Sequence, residues 1–501
     1  MNHPAEQKHV IFITLLYFTI SLLGILHHEL WLDEAHHWLL VLDSGSFSEL
    51  LYNMRHEGHP MLWNILLFLL TRITDNPFGM QLLHIVLSTL TVSIFLRKSP
   101  FSTRFKVLFV FGYFMLFEYN LISRNYILGL LFLFLALGLY RQRKEKFLLY
   151  ALWLALAANI HLMFTVISLA LLFLFSIENK KNILRYTSGY LVFAAGLFLL
   201  VVQLFPAIDS IFLTRTHDIP LYERFTKGFI SLFKGLLTIP DFRTIHFWNS
   251  NLLINYNKPI SAVIGLALYA LPLLLFYKRK ATLLFTYTAL FGVQCFFFIT
   301  QLSATRFDGI NYIILITALW IDHYHVYRIR NNINRDFARR TILYLLLLLQ
   351  FSSGLIAYIY DYWKPFSPGK QVAVFLVQHR LSNMETVTQF CEGTIIAPYL
   401  DKRPFFLCTN RNQGLCNWEQ NCKTAITDSQ LITLLATHSA QNSDFIFISS
   451  RNITQNPENT ISLKKLTHLS PCIVRNTNYY IYRVTRIITK PIPHEKTIAR
   501  F

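Results

Sequence analysis

VIFITLLYFTISLLGIL, residues 10–26, is an apolar run that no charged side chain interrupts. A helix of this length can cross about 30 Å of hydrocarbon. The rest of the chain has the same character, because 53% of its 501 residues are hydrophobic and only 15% are charged. Soluble domains carry about 25% charged residues, so the composition predicts an all-α polytopic membrane domain. We expect residues 10–26 to be retained as a membrane anchor.

Further apolar runs of spanning length follow the first one. Two stretches, 105–140 and 147–176, each lie between charged loops and are therefore predicted to cross twice, with turns at 118–125 and 159–161. The run 61–70 has about half the length of a span and is predicted to be interfacial. The pattern gives about eleven spans in all. The predicted single spans are 9–26, 78–96, 186–206, 259–277, 281–301, 308–322 and 341–360.

The net charge of +19 comes from Lys and Arg residues that fall largely in short runs between the apolar stretches. Such runs are typical of cytoplasmic loops, so the charge does not indicate nucleic-acid binding. The distribution predicts a cytoplasmic N-terminus and an extracytoplasmic C-terminus, with 207–258 as a sizeable outer segment. The runs predicted to be cytoplasmic are 97–106, 141–146, 278–280 and 328–340.

From residue 362 onward the apolar runs become short and polar turns separate them. We therefore expect two domains, a transmembrane domain over 1–361 and a small extracytoplasmic α/β domain over 362–501, arranged as a three-layer sandwich. A helix is predicted near 429–436. The predicted strands are 394–396, 405–407, 444–449 and 479–484.

Cysteine is concentrated in the C-terminal domain, where five of the six residues lie. Such clustering fits a compartment that permits disulfides, and we expect at least one bridge, with 408–422 as the favoured region. Zinc binding is the weaker alternative. The five residues are Cys391, Cys408, Cys416, Cys422 and Cys472.

The first predicted outer loop, 27–77, holds a dense set of acids and imidazoles in WLDEAHHW (31–38) and RHEGHP (55–60). Such groups at the mouth of a membrane domain are costly to desolvate and indicate a functional site. The alternative is a solvated loop with an acidic face. Asp33 is the strongest candidate, and Glu34 points about 100° away from it if the segment is helical.

A divalent metal at this loop is chemically allowed. The candidate ligands are Asp33, His56, Glu57 and His59, although HEGH (56–59) lacks the i,i+4 histidine spacing of zinc proteases. DEAH (33–36) spells a helicase motif, but no phosphate-binding loop accompanies it. The sequence thus leaves the metal and any other cofactor unassigned.

Several short motifs resemble the type C (GT-C) glycosyltransferases, including bacterial protein mannosyltransferases and lipid A aminoarabinose transferases. WLDEA follows the first span and EGHPMLW (57–63) follows later in the same loop, with Met61 where the family usually has a second proline. The resemblance covers roughly residues 9–325. Weaker matches are SRNY (123–126), NIHL (159–162) and ATR (304–306), the last in a span that continues with Tyr312.

The resemblance implies an inverting transferase that takes a sugar from a polyprenyl-phosphate donor in the bacterial inner membrane. The acceptor would be an envelope glycan, lipid or protein, and the active site would face the periplasm. Asp33 matches the family's catalytic base, with Glu34 beside it. The residues implied to bind substrate are Glu57, His59, Arg124, Tyr126, His161 and Arg306, of which the two arginines would hold the donor phosphate.

Other interpretations of the same residues remain open. The arginines could be snorkelling to the interface, and His161 could be a packed or capping residue. A transporter or flippase of a lipid-linked saccharide would share the lipid groove, although no inverted repeats are evident. A non-catalytic membrane assembly protein is the third alternative, and release of polyprenyl phosphate would distinguish the enzyme from both.

Overall fold

The computed structural model describes residues 4–205, 219–302, 304–325, 333–416, 422, 426–442, 444–454, 460–469, 471–475 and 478–487. Helices dominate this part of the chain, as the apolar periodicity predicts. They are α1 (Pro4–Ile25), α2 (Leu32–Leu42), α3 (Phe47–Asn53), α4 (Leu62–Leu70), α5 (Phe78–Lys98), α6 (Thr103–Val110), α7 (Tyr126–Gly138), α8 (Phe147–Ala158), α9 (Leu162–Glu178), α10 (Thr187–Leu204), α11 (Leu221–Leu236), α12 (Leu252–Tyr256), α13 (Lys258–Leu268), α14 (Leu271–Leu275), α15 (Lys280–Thr300), α16 (Thr305–Tyr324), α17 (Ile333–Trp363), α18 (Gly369–Gln378), α19 (Glu392–Ile396) and α20 (Asp428–Ser439).

The chain divides into two compact units, which we describe separately. The first comprises Met1–Ser367 with Cys472–Arg475, and the second comprises Pro368–Pro471 with Asn476–Phe501. Within the described residues of the first unit, six helical segments are long and apolar enough to cross a membrane. This protein is therefore an integral membrane protein. The six segments are Gln7–Ile25, Phe78–Lys98, Lys180–Leu204, Lys258–Leu275, Lys280–Thr300 and Asp336–Trp363.

Each predicted double crossing corresponds to a pair of short helices. In the first pair, α6 continues through a π-helical turn at Tyr113–Glu118, and α7 begins at Tyr126 after a bend. In the second pair, α8 ends at Ala158 and α9 begins at Leu162. Because both bends lie where polar residues interrupt the apolar pattern, the sequence located them correctly.

The predicted interfacial run 61–70 forms the nine-residue helix α4. At about 1.5 Å of rise per residue it covers roughly 14 Å, which is too short to cross a bilayer. Its length therefore agrees with the prediction that it does not span the membrane.

The segment after α10 contains a helix that the sequence analysis did not predict. Helix α11 packs against α13, α15 and α16, and Gly235 lies so close to α16 that a Cβ there would come within 2.1 Å of the Asp308 carbonyl oxygen. Only glycine allows this approach of the two backbones. The described part of 207–258 thus contains the packed helix α11 and the short helix α12, joined by turns over 237–251, and residues 206–218 lie outside the described residues.

The second unit is built on a six-stranded mixed sheet with the order β3-β2-β1-β4-β6-β5. β1 lies parallel to β2 and β4, and the remaining neighbours are antiparallel. Phe445 and Phe447 of β4 pack with Leu431 of α20 on one face, and Gly393 of α19 lies against Phe406 of β2. The strands are β1 (Thr386–Thr388), β2 (Phe405–Phe406), β3 (Arg411–Asn412), β4 (Asp444–Ser449), β5 (Ile461–His468) and β6 (Tyr480–Arg486).

The α/β class of this unit is confirmed, and three of the four predicted strands and the helix are present. The strand predicted at 394–396 is wrong, because these residues belong to the short helix α19. A three-residue apolar run cannot distinguish a strand from a helical turn, and the nearby Pro398 has no N–H with which to continue a ladder. The expected disulfide is confirmed by two bridges, Cys391–Cys416 and Cys408–Cys422.

Candidate active site

Helix α2 begins where the first membrane helix has just ended, and its first turn carries the two acids. Adjacent helical residues point about 100° apart, so Asp33 and Glu34 face different surroundings. Asp33 faces two arginines from distant segments. Glu34 is fully buried and accepts a hydrogen bond from its own N-cap, the Trp31 backbone N–H, at 3.2 Å.

The Asp33 carboxylate lies between two guanidinium groups. Its Oδ2 is 2.7 Å from Nη1 of Arg124 and 3.2 Å from Nη2 of Arg306. Arg306 also lies over the Trp31 ring, with Cζ 5.1 Å from the ring centroid. The Arg124 side chain is only 3% exposed, whereas 19% of the Asp33 side chain remains accessible. Two cations therefore converge on one carboxylate that remains partly accessible.

The backbones that carry these arginines are fixed by polar side chains within the bundle. A ring nitrogen of His84 lies 2.9 Å from the Arg124 carbonyl oxygen. Tyr119 donates to the Arg306 carbonyl oxygen at 2.7 Å, and Asn125 donates to the Ile160 carbonyl oxygen at 2.8 Å. The bend before α7, the bend before α9 and the start of α16 are thus held together, which places both guanidiniums.

A second group of polar rings continues from Arg124. Its Nη2 is 3.4 Å from Nε2 of His59, whose ring centroid is 5.3 Å from that of His161. His161 Nε2 is 3.1 Å from the Tyr126 hydroxyl. Because His161 also accepts a hydrogen bond from the Met163 backbone N–H through Nδ1, its neutral form carries the proton on Nε2 and donates it to the tyrosine oxygen.

Burial and charge act in opposite directions on Asp33. Burial alone would raise the pKa of its carboxyl, but the charges of Arg124 and Arg306 prevail and hold that pKa below its ordinary value. Burial and the charge of Arg124 hold the pKa of His59 well below its usual range and lower the pKa of His161 to about 3. At neutral pH the site therefore contains an ionised acid and uncharged imidazoles.

Glu34 belongs to a separate buried network. Its Oε1 accepts the Ser123 backbone N–H at 2.6 Å, and its Oε2 lies 3.2 Å from Nε2 of His28. The other ring nitrogen of His28 is 2.8 Å from the Asp361 carboxylate. Burial by itself would lower the pKa of His28, but the two carboxylates raise it to about 10, so the ring is a cation. Glu34 therefore joins α2 to the residue before Arg124, a geometry that favours a positioning role.

Glu57 lies on the far side of His59. His37, Glu57 and His59 offer ligand atoms that all lie within 4.8 Å of one another. Within the described part of the chain, Nδ1 of His37 and Nδ1 of His59 are buried without a hydrogen-bond partner. Two neutral imidazoles and a carboxylate suit a divalent ion such as Zn²⁺. The set differs from the one expected from sequence, since it includes His37 in place of Asp33 and His56.

The structure brings six of the eight candidate site residues into one cluster, formed by Asp33, His59, Arg124, Tyr126, His161 and Arg306. Glu57 adjoins it through His59, and Glu34 adjoins it through the backbone. Sequence reasoning missed His28, His84 and Asp361. A histidine inside an apolar span, as at position 84, is the pattern that could have revealed one of them.

No protein-family model matches the sequence, and no curated protein sequence matches it. The fold nevertheless has a counterpart among solved structures. One solved structure with a similar fold is that of ArnT from Cupriavidus metallidurans bound to undecaprenyl phosphate, with a TM-score of 0.51. The match covers 95% of this chain and 97% of that chain at 11% sequence identity. At this identity the likeness defines the fold.

Proposed function

We propose that this protein is a membrane glycosyltransferase that moves a sugar from a polyprenyl-phosphate donor to an acceptor hydroxyl, with Asp33 as the general base. The observation that carries the proposal is the convergence of Arg124 and Arg306 on the Asp33 carboxylate at an accessible point. The fold shared with ArnT, which was solved with undecaprenyl phosphate, supports a polyprenyl-phosphate partner.

The charges of the cluster suit this reaction. Two guanidiniums and one carboxylate leave one positive charge, which a donor phosphodiester neutralises. When the bond between the sugar carbon and the phosphate oxygen breaks, its electrons pass to the phosphate, which gains a negative charge. The acceptor oxygen bonds to the sugar carbon and its proton passes to Asp33, which loses a negative charge. The total charge of the buried site is unchanged, so little reorganisation is required.

The geometry of Asp33 also suits a base. Both arginine contacts use Oδ2, so Oδ1 can accept the proton of an acceptor hydroxyl. Attack on the face opposite to the phosphate inverts the sugar carbon, and a positioned base contributes roughly 10²–10⁴-fold in rate. The neutral ring of His59 and the Tyr126 hydroxyl, which is held by His161, provide hydrogen-bonding groups for sugar hydroxyls.

The remaining residues have supporting roles in this scheme. Glu34 positions Asp33 and Arg124 through its contacts with Trp31 and Ser123. A divalent ion, if one binds, would be held by His37, Glu57 and His59 and would add positive charge beside the phosphate; no step requires it. We place the site at the periplasmic face of a bacterial inner membrane, with an envelope glycan, lipid or protein as acceptor.

The test is release of polyprenyl phosphate by the purified protein. A panel of undecaprenyl-phosphate sugars is presented with an envelope extract as acceptor, and free undecaprenyl phosphate is measured together with the labelled product. The enzyme should release lipid phosphate and label the acceptor in equal amounts. A flippase would move the lipid across a vesicle without releasing phosphate, and an assembly protein would do neither, so either outcome would overturn the proposal.

A further inference from the structure

A cavity lies near the end of α16 that is opposite to Arg306. Helix α16 carries Arg306 in its first turn and Asp322 in its last. The rise of an α-helix separates these two positions by about 24 Å. Asp322 lines a cavity of about 650 Å³, and every described residue of the first site lies near the other end of α16. The cavity is therefore a separate feature of the fold.

The cavity is formed where three of the basic runs predicted to be cytoplasmic meet. Phe101 and Phe105 come from the first run, Arg279 from the third, and Arg339 and Arg340 from the fourth. These segments are far apart in sequence, and none of them contributes to the Asp33 site. Their convergence gives the cavity a cationic wall that no single run encodes.

Asp322 holds two of these arginines side by side. Its Oδ2 pairs with Arg279 and lies 2.8 Å from Nη2 of Arg339, while its Oδ1 accepts a hydrogen bond from Thr282 at 3.1 Å. Arg340 also lines the cavity but is not paired with Asp322, whose two oxygens are both engaged. Nε of Arg339 is buried without a hydrogen-bond partner within the described residues. With three arginines and one aspartate, the described lining carries a formal charge of +2, and Asp322 holds two of the guanidiniums in place as donors.

We propose that this cavity binds a phosphate group, and that the phosphate is the headgroup of an anionic phospholipid. Planar guanidiniums held as a pair match the geometry of phosphate oxygens. The remaining wall is apolar, because Phe101, Phe105 and Leu343 line it. A lipid phosphate brings a glycerol and acyl region that can contact this apolar wall, whereas a free phosphate leaves it without a partner.

The inference does not rest on the proposed transferase activity, and its test needs no substrate. Native mass spectrometry of the full-length protein, extracted from mixed micelles, counts bound phosphatidylglycerol against phosphatidylcholine. The wild type should retain phosphatidylglycerol preferentially. Arg340→Gln removes one cavity charge without breaking either pair to Asp322, and it should weaken retention about tenfold.

Arg104→Gln is the matched control, because this exposed arginine belongs to the same basic run as Phe101 but does not line the cavity. It removes the same charge from the same end of the bundle. A specific binding site predicts that only Arg340→Gln loses the lipid. Equal losses in the two variants would mean a diffuse attraction between basic loops and anionic lipid, and would overturn the proposal.

A third variant distinguishes the two sources of phosphate. Leu343→Gln alters the apolar wall, so it should weaken phosphatidylglycerol retention and leave the binding of inorganic phosphate, measured by calorimetry in detergent, unchanged. Inorganic phosphate binding that is lost in Arg340→Gln, without any lipid preference, would support the phosphate site and assign it a soluble ligand. Binding of neither phosphatidylglycerol nor inorganic phosphate would refute the site.

Discussion

Replacing Asp33 with Asn is the most informative perturbation of the active site. The substitution keeps the shape of the side chain but removes the base, so kcat should fall by about 10²–10⁴-fold, equivalent to roughly 3–5 kcal/mol of barrier. It also removes the carboxylate that pairs with Arg124 at 2.7 Å and Arg306 at 3.2 Å. Both arginines then become available to the donor phosphate, so donor affinity should stay the same or increase.

The assay is sugar transfer by purified protein, with donor binding measured separately on the same preparation. Asp43→Asn is the control, since Asp43 is the C-cap of the same helix, about 15 Å from Asp33 along the axis, and its activity should match the wild type. A merely structural Asp33 would lower donor affinity and stability together. If Asp33→Asn keeps most of its kcat, the base lies elsewhere, and Glu57 and Glu34 become the residues to test.

Three further predictions follow from the same geometry. Arg124→Lys and Arg306→Lys keep the charge but lose the guanidinium fork, so donor affinity measured by equilibrium binding should fall about tenfold in each. Unchanged affinity in both variants would indicate that these arginines only extend to the membrane interface. Glu34→Gln places an amide where the carboxylate now accepts hydrogen bonds from buried donors, so it should lower the thermal stability of the protein. It should reduce activity less than Asp33→Asn does. A larger loss of activity at unchanged stability would instead make Glu34 catalytic. His59 and His161 have lowered pKa values, so the unfolded chain takes up protons below pH 6.5 while the folded chain does not. The free energy of unfolding should therefore decrease as pH falls below 6.5, by up to about 1.4 kcal/mol per pH unit for each histidine. His161→Asn should weaken the pH dependence of thermal unfolding. An unchanged dependence in that variant would contradict the argument.

The sequence could predict the membrane helices because the bilayer imposes a simple rule on composition and length. It could also locate Asp33, because an acid directly after an apolar span is costly and has few structural uses. The different directions in which Asp33 and Glu34 point also followed from helical geometry. These features are local, because a span depends on about 20 consecutive residues and the directions of Asp33 and Glu34 depend on neighbouring ones.

The contacts of the site could not be predicted in the same way. The pair between Asp33 and Arg306 joins residues 273 positions apart, and the pair between His28 and Asp361 joins residues 333 positions apart. Their formation depends on how the helices pack, which periodicity does not specify. For the same reason the packed helix α11 was missed, because its polar face resembles that of a solvated loop until its neighbours are known.

The double contact to Asp33 has a consequence for the timing of catalysis. While the two guanidiniums hold Oδ2, the carboxylate has a low affinity for protons and is a poor base toward water. A donor phosphate that draws the guanidiniums away would leave the same carboxylate in a buried setting, where its proton affinity rises. Donor binding would then activate the base, and a site without donor would be inactive. The reactive sugar phosphate would meet a competent base only after the lipid itself had created it.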